Sequence, residues 1–225
     1  MDASHTSPGT SEPVSQSLEQ HPNYKTTGNE KRDLLAFFHV LERLKMQKRT
    51  GWVDHKISNP ESISDHMYRM AIMAMCCSDT QLDISKCVFL ALVHDIAEAQ
   101  VGDITPRHGL SKAEKARLEE DAMNNFVHEM LHDSPAASRI MALWKEYEER
   151  QTPEAQFVKD LDRFEMAAQA FAYERRTGKN LQTFFDSSVP DIRHPEVRAW
   201  AGELQAERNE LQDDKTSAPA QPRVV

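Results

Sequence analysis

Glycine and cysteine are scarce in this chain of 225 residues: there are 7 glycines and 3 cysteines. The cysteines are Cys76, Cys77 and Cys87. An odd number with two adjacent excludes a disulfide framework. Their apolar helical surroundings read as buried free thiols in a reducing compartment. No apolar run approaches the roughly 18 residues that span a bilayer, so a membrane is not an expected partner. The first 29 residues lack the apolar core of a secretory signal. The expectation is a cytoplasmic protein, with a nuclear share left open. No stretch alternates apolar and polar residues between turn signals, which argues against a sheet. Excess basic charge is also missing: the formal net charge is −9. No basic field exists to gather a phosphate backbone, which excludes polymeric nucleic acid as a partner. A small phosphate remains admissible if metal ions supply the local positive charge.

What is present is helical. Residues 1–29 and the segment from residue 212 onward are polar and read as disordered tails. Residues 30–211 form one domain, with no repeat and no internal linker. Leu34, Leu35, Phe38, Leu41 and Leu44 recur at helical spacing and predict one apolar face. Ser62-Ile63-Ser64-Asp65 reads as a capping box with Asp in place of Glu, ahead of a helix through Met75. Asp83 caps a helix from Ile84 to about Glu98. Ser111 and Glu114 form a second capping box. Ser134-Pro135 and Thr152-Pro153 place proline just inside helix starts. The Thr152 helix carries Phe157, Leu161, Phe164 and Ala168 on one face, and Gly178 ends it. Cys87-Val88-Phe89-Leu90 continues into an apolar helical pattern through Val93. The fold class is all-α.

Chemistry concentrates in His94-Asp95-Ile96-Ala97-Glu98, followed by Gly102-Asp103-Ile104. Three polar groups interrupt an otherwise apolar helix, and buried ionisable groups are costly unless paired or bound to metal. His94 and Glu98 are four apart, Asp95 and Glu98 three apart, so one helix offers an imidazole and two carboxylates to one pocket. Gly102 can break the helix and turn Asp103 back toward it. His66, early in the helix from Ile63, stands among Met67, Met70, Ala71 and Ala74. Asp162 lies between Leu161 and Phe164 on the Thr152 helix. Two His with several carboxylates favour Mn, Fe, Co or Mg over a thiolate-rich zinc site. His55, His108, His128, His132 and His194 lack comparable acidic neighbours in the sequence. Glu146 to Arg150 reads as a solvated helical face.

The order His66, then His94-Asp95, then Asp162 resembles the signature of the HD-domain metal-dependent phosphohydrolases. The likeness extends through Arg49-Thr50-Gly51-Trp52, Pro60 to Ala71, Leu90 to Glu98, Val101 to Ile104 and Phe157 to Asp162. Over about residues 31 to 211 it resembles the 5′-deoxynucleotidase branch of that family. The resemblance implies an HD-domain helical bundle, commonly a homodimer, that hydrolyses deoxyribonucleoside 5′-monophosphates to deoxyribonucleoside and phosphate. It implies a first metal on His66, His94, Asp95 and Asp162. A second would lie near Glu98, Asp103 and the backbone carbonyl of Ile104. Mn, Co or Mg would support turnover, with Zn or Fe as further options. Glu98 and Asp103 are each candidates for the catalytic base or for ligands of the second ion. Trp52 keeps the family's distance to the first His and would bind substrate; Arg49, displaced by two residues from the family's adjacent Arg-Trp pair, would pair with phosphate. Lys45, Lys48 and Arg107 are weaker phosphate candidates. Another HD-type nucleotide phosphohydrolase or phosphodiesterase, and a non-catalytic metal-stabilised interaction protein, are the alternatives.

Overall fold

The computed structural model describes residues 20–217, with side chains through residue 213. Its ten α-helices are α1 (Glu30–Met46), α2 (Thr50–Asp54), α3 (Ile63–Met75), α4 (Ile84–Val93), α5 (Glu98–Val101), α6 (Lys112–Asn124), α7 (Pro135–Glu149), α8 (Pro153–Thr177), α9 (Gln182–Ser188) and α10 (Pro195–Ser217). Among the described residues no strand forms; Lys48 and Ser62 make an isolated antiparallel bridge. The all-α expectation therefore holds. The expected tails at 1–19 and 218–225 lie outside the described residues.

Most helix starts follow the local chemistry read from the sequence. Ser62 and Asp65 close a reciprocal capping box at α3, and Ser111 with Glu114 does so at α6. Asp83, Ser134 and Thr152 each accept a backbone N–H at the start of α4, α7 and α8. Gly178 ends α8 at φ 70°, a left-handed backbone that glycine adopts without a Cβ clash. The segment Cys87–Leu90 is helical, within α4.

Three expectations need correction. First, α1 buries Asp33, Phe37, Val40 and Leu44, while Leu34, Leu35 and Phe38 are exposed. Helix α1 carries two apolar stripes about one residue apart, and Asp33 selects between them. Its fully buried carboxylate accepts from Tyr24 Oη, Thr26 Oγ1, Thr27 Oγ1 and Thr27 N, at 2.6 to 3.1 Å, and meets His132 Nε2 at 2.9 Å. Second, residues 20–29 are not a free tail. Tyr24 packs on the core, and its backbone exchanges two hydrogen bonds with the Asn125 side chain. His21 N donates to Gln100 O. Third, α10 runs through Ser217, past the expected boundary at 212. Of the cysteines, Cys87 is buried, Cys77 half-buried and Cys76 exposed; all are free thiols.

Helix α8 is the axle of the bundle: it packs against α3, α4, α7, α9 and α10. One apolar cluster, with Leu90, Phe157 and Leu161, joins α3, α4 and α8; a second, with Phe37, Met67, Ile96 and Phe126, lies around α1. Both border the segment that follows α4, where the chemistry-bearing residues fall.

Candidate metal centre

Helix α4 stops at Val93, short of the expected Glu98. From there Ile96, Glu98, Ala99 and Gln100 each donate to the carbonyl three residues earlier. This tighter winding places residues three apart on one line, which aligns Asp95 with Glu98. Gly102, at φ 81°, ends α5 and releases the chain toward α2.

His66 and His94 meet across the α3–α4 contact with ring centroids 5.4 Å apart. His66 Nε2 lies 3.3 Å from Asp162 Oδ1 and 3.8 Å from Asp95 Oδ2; His94 Nε2 lies 3.1 Å from the same Asp95 oxygen. The other nitrogens are committed: His66 Nδ1 to Glu165 Oε2 at 2.6 Å, and His94 Nδ1 to Ala91 O at 2.9 Å. Both Nε2 atoms are buried without a hydrogen-bond partner. Two imidazoles oriented by their outer nitrogens, with two carboxylates facing their inner ones, are donors of the kind that could hold a divalent cation. One donor atom each from His66, His94 and Asp162 falls within 4.8 Å of the others. The residues present therefore fit a metal ion.

The electrostatics agree. Burial and the Arg49 charge oppose protonation of His66, yet the Glu165 and Asp162 carboxylates prevail and push it up to about 10. Against its burial, Asp95 is held well below the usual carboxylate range by His94 and Arg49, and Asp162 by Lys159 and the two imidazoles. Burial, then the Asp95 and Asp103 charges, push Glu98 well above its ordinary value. A site that gathers protons in this way is one where a dication would relieve the carboxylates.

Around this centre the other expected residues divide. Arg49 reaches Asp95 at 3.3 Å, among the charges of Asp103, Asp162 and Glu98. Glu98 is 2% exposed, with Oε2 unpartnered and Oε1 3.9 Å from Lys115 Nζ. Asp103 Oδ2 accepts from Thr50 N at 2.6 Å, and its carbonyl accepts from Thr50 Oγ1. Ile104 is buried in the core around α1. Asp95, Glu98, Asp103 and Ile104 do not join the ligand groups that form among the described residues, although Asp95 Oδ2 lies 3.1 Å from His94 Nε2. Trp52, expected to bind substrate, offers no open face. It is 2% exposed, its rings covered by Phe184 and Tyr173. The physical reason is the indole N–H, which needs a partner when buried and finds Glu61 Oε1 at 2.8 Å. Arg107 is spent on Asp54 at 2.6 Å, and Lys45 and Lys48 are exposed.

Several contributors escaped sequence reasoning. Tyr147, within the stretch read as solvated, is buried and donates to Asp162 Oδ2 at 3.0 Å; Lys159 Nζ reaches the same oxygen at 2.7 Å. Glu165 is buried between His66 and Arg69. The only sequence signal was helical spacing: Lys159, Asp162 and Glu165 are successive positions three apart. Three histidines set aside do have carboxylate partners: His132 with Asp33, His128 with Asp133 and His194 with Asp79. These pairs join residues of different elements or of a left-handed turn, beyond the reach of local pattern. Asp160, two residues before Asp162, bonds Arg163 and two backbone amides instead.

Residues 41–201 match the HD domain family. The chain is 45% identical over 181 residues to 5′-deoxynucleotidase hdd1 of Schizosaccharomyces pombe, covering 79% of this chain and 91% of that one. It is 45% identical over 185 residues to human 5′-deoxynucleotidase HDDC2, covering 81% and 90%. Among solved structures, the HD domain-containing protein YGK1 of Saccharomyces cerevisiae superposes with a TM-score of 0.67 at 31% identity, covering 84% and 92%. A predicted metal-dependent phosphohydrolase from Magnetospirillum magnetotacticum does so with 0.63 at 26%, covering 80% and 93%. The matched segment carries His66, His94, Asp95 and Asp162 on α3, the α4 terminus and α8, and the chain belongs to the HD-domain family.

Proposed function

We propose that this chain is a metal-dependent 5′-deoxynucleotidase, a phosphoric monoester hydrolase that converts deoxyribonucleoside 5′-monophosphates to deoxyribonucleoside and phosphate. The observation that carries the reading is the convergence of two buried, unpartnered imidazole nitrogens, on His66 and His94, upon Asp95 and Asp162. The names of the fission-yeast and human relatives supply the substrate class.

His66, His94, Asp95 and Asp162 would hold the cation, and their mixed N/O character suits Mn, Co or Mg, with Zn or Fe also compatible. When bound, the ion polarises a phosphoryl oxygen and brings the pKa of a water toward neutrality. Arg49 presents a planar fork of donors to the substrate phosphate, exchanging its Asp95 contact for phosphate oxygens. Glu98 is the proton acceptor: it is buried, one oxygen is free, and its surroundings favour the protonated form. Lys115 beside it limits the charge left behind. Asp103 positions Arg49 by capping Thr50. A second ion on Glu98, Asp103 and the Ile104 carbonyl is the competing assignment, because a ligating carboxylate cannot also take the proton. Trp52 acts by fixing the Arg49–Thr50 turn through Glu61 rather than by stacking on the sugar.

A homodimer would cover the exposed apolar side chains of α3 and α4, among them Tyr68, Met75 and Phe89. No helix among the described residues is long and apolar enough to cross a membrane; free thiols and an acidic surface suit the cytoplasm.

The test is phosphate release from dAMP and AMP by metal-stripped protein with Mn, Co, Mg or Zn restored, beside Asp95→Ala. Metal-dependent release, faster from dAMP and abolished by the substitution, is expected. No release with any metal would overturn the proposal.

A further inference from the structure

A cavity of about 470 Å³ opens between the α3–α4 loop, the first turns of α8 and the segment before α10. Its walls include none of the candidate metal ligands. In a chain of net charge −9, they hold four cations, Arg150, Lys159, Arg163 and Arg193, against two carboxylates, Asp79 and Asp160. Both carboxylates are committed. Asp160 accepts from Arg163 Nη1 at 2.9 Å and from the backbone N–H groups of Arg193 and His194 at 2.8 and 2.7 Å. Asp79 accepts from Gln81 N at 2.8 Å and meets His194 Nε2 at 3.2 Å. The buried Asp160 thus spends its charge on fixing the loop that presents Arg193.

Two further observations indicate that this wall is built to receive something. No hydrogen bond or ion pair engages the side chain of Arg150 or Arg193 among the described residues, and His194 Nδ1 is buried with no partner. Arg150 also ends α7 in the left-handed region, at φ 54° and ψ 34°. Glycine takes that backbone at no steric cost, whereas a side chain there is strained by about 1 kcal/mol. Strain kept at a cavity rim, with a guanidinium as the gain, points to use. Leu82, Pro153 and Phe157 supply an apolar wall, and the volume lies in the range of small-molecule sites.

We infer that this cavity is a second ligand site, which takes a phosphorylated small molecule of nucleotide size through Arg150 and Arg193. The guanidinium forks match phosphate oxygens bidentately, and the apolar wall takes the organic part. Lys159 lines the cavity while its Nζ lies 2.7 Å from Asp162, so the ligand would sit one side chain from the metal centre.

Calorimetric titration of the full chain with dADP, and separately with inorganic phosphate, tests this in EDTA. The comparison is with Arg150→Gly/Arg193→Ala. Glycine accepts the left-handed backbone, so this variant folds at least as well as the wild type, and thermal unfolding checks it. Neither arginine touches the metal centre, so dAMP hydrolysis without added ligand stays unchanged. The wild type is expected to bind one more equivalent of dADP than the variant, with affinity at that site reduced at least tenfold by the substitutions. Superimposable isotherms would overturn the inference. Inorganic phosphate binding as tightly as dADP would overturn the nucleotide-sized ligand. If dAMP is hydrolysed by neither protein, the proposed activity fails, while the binding comparison stands on its own.

Discussion

Replacing Glu165 by Gln isolates the carboxylate that orients His66. The two side chains are fully buried, with Glu165 Oε2 2.6 Å from His66 Nδ1. As an ionised acceptor, Glu165 holds the Nδ1 proton in place, so that Nε2, facing Asp162 and Asp95, is the nitrogen that gives up its proton when a metal binds. Glutamine keeps the volume but weakens that bond, since charge-assisted hydrogen bonds are roughly twice as strong as neutral ones. Its amide can also turn a donor toward Nδ1, which would move the proton to Nε2 and block ligation. Loss of such an outer carboxylate typically lowers metal affinity by about 10- to 100-fold, or about 1.4 to 2.8 kcal/mol. Arg69 loses its partner too, but its side chain is 35% exposed, so the stability loss is closer to ~1 kcal/mol than to the 3–5 of a buried pair. For a chain of this size that lowers Tm by about 2–4 °C. Chelator competition with Mn, beside thermal unfolding in EDTA, measures both. The expected result is a large loss of metal affinity, a small shift in Tm, and kcat near wild type at saturating Mn. Unchanged Mn affinity would refute the role given to Glu165.

Four further substitutions probe the site and its surroundings. Glu98→Gln is expected to lower kcat by about 10²- to 10⁴-fold with Mn affinity held within a few-fold; a parallel fall in affinity would make Glu98 a ligand instead. Trp52→Ala should cost about 3–5 kcal/mol in denaturant unfolding, because it opens a void against Phe184 and Tyr173 and strands Glu61. Trp52→Phe should keep the preference for dAMP over AMP, and lost preference at unchanged stability would put the indole on the sugar. Burial pushes Glu119 up to about 7 from 4.5, with the nearby Lys115 charge acting the other way. Its protonated form therefore favours the fold: that stabilisation is complete below pH 4.5 and disappears as pH rises through 7. Tm of the metal-free wild type should fall relative to Glu119→Gln between pH 5 and 7.5; parallel curves would refute the assignment.

The sequence made the metal centre legible because its residues are polar intrusions into apolar helices. His66 and His94 could hardly be buried without partners, and the capping box at Ser62 and the Asp83 cap fixed where their helices begin. The same logic failed where the deciding partner lay far along the chain. The exposed stripe on α1 is as apolar as the buried one, and only Asp33, met by a segment that looked like a polar tail, separates them. Tyr147 was hidden in a charged run because a phenol that donates to Asp162 leaves no local pattern. Trp52 has the position of a substrate contact in the motif, but its indole nitrogen decides its place. Nor could helical periodicity foresee that α4 ends at Val93, since the tighter turn that aligns Asp95 with Glu98 leaves the apolar residues unchanged.

The strap from His21 to Thr27 bears on how this domain can be cut, fused or tagged. A fragment trimmed to the first helix would keep every helical residue, yet it would strip Asp33 of its donors on Tyr24, Thr26 and Thr27, leaving His132 alone to face a buried carboxylate. The strap also grips Gln100 twice, through His21 N and Asn23 Oδ1, two residues beyond Glu98 on the same short helix. The folding unit thus begins ahead of its first helix. A protease nick or a bulky fusion placed there would loosen the turn that carries Glu98 while leaving the helical content seen by circular dichroism almost unchanged.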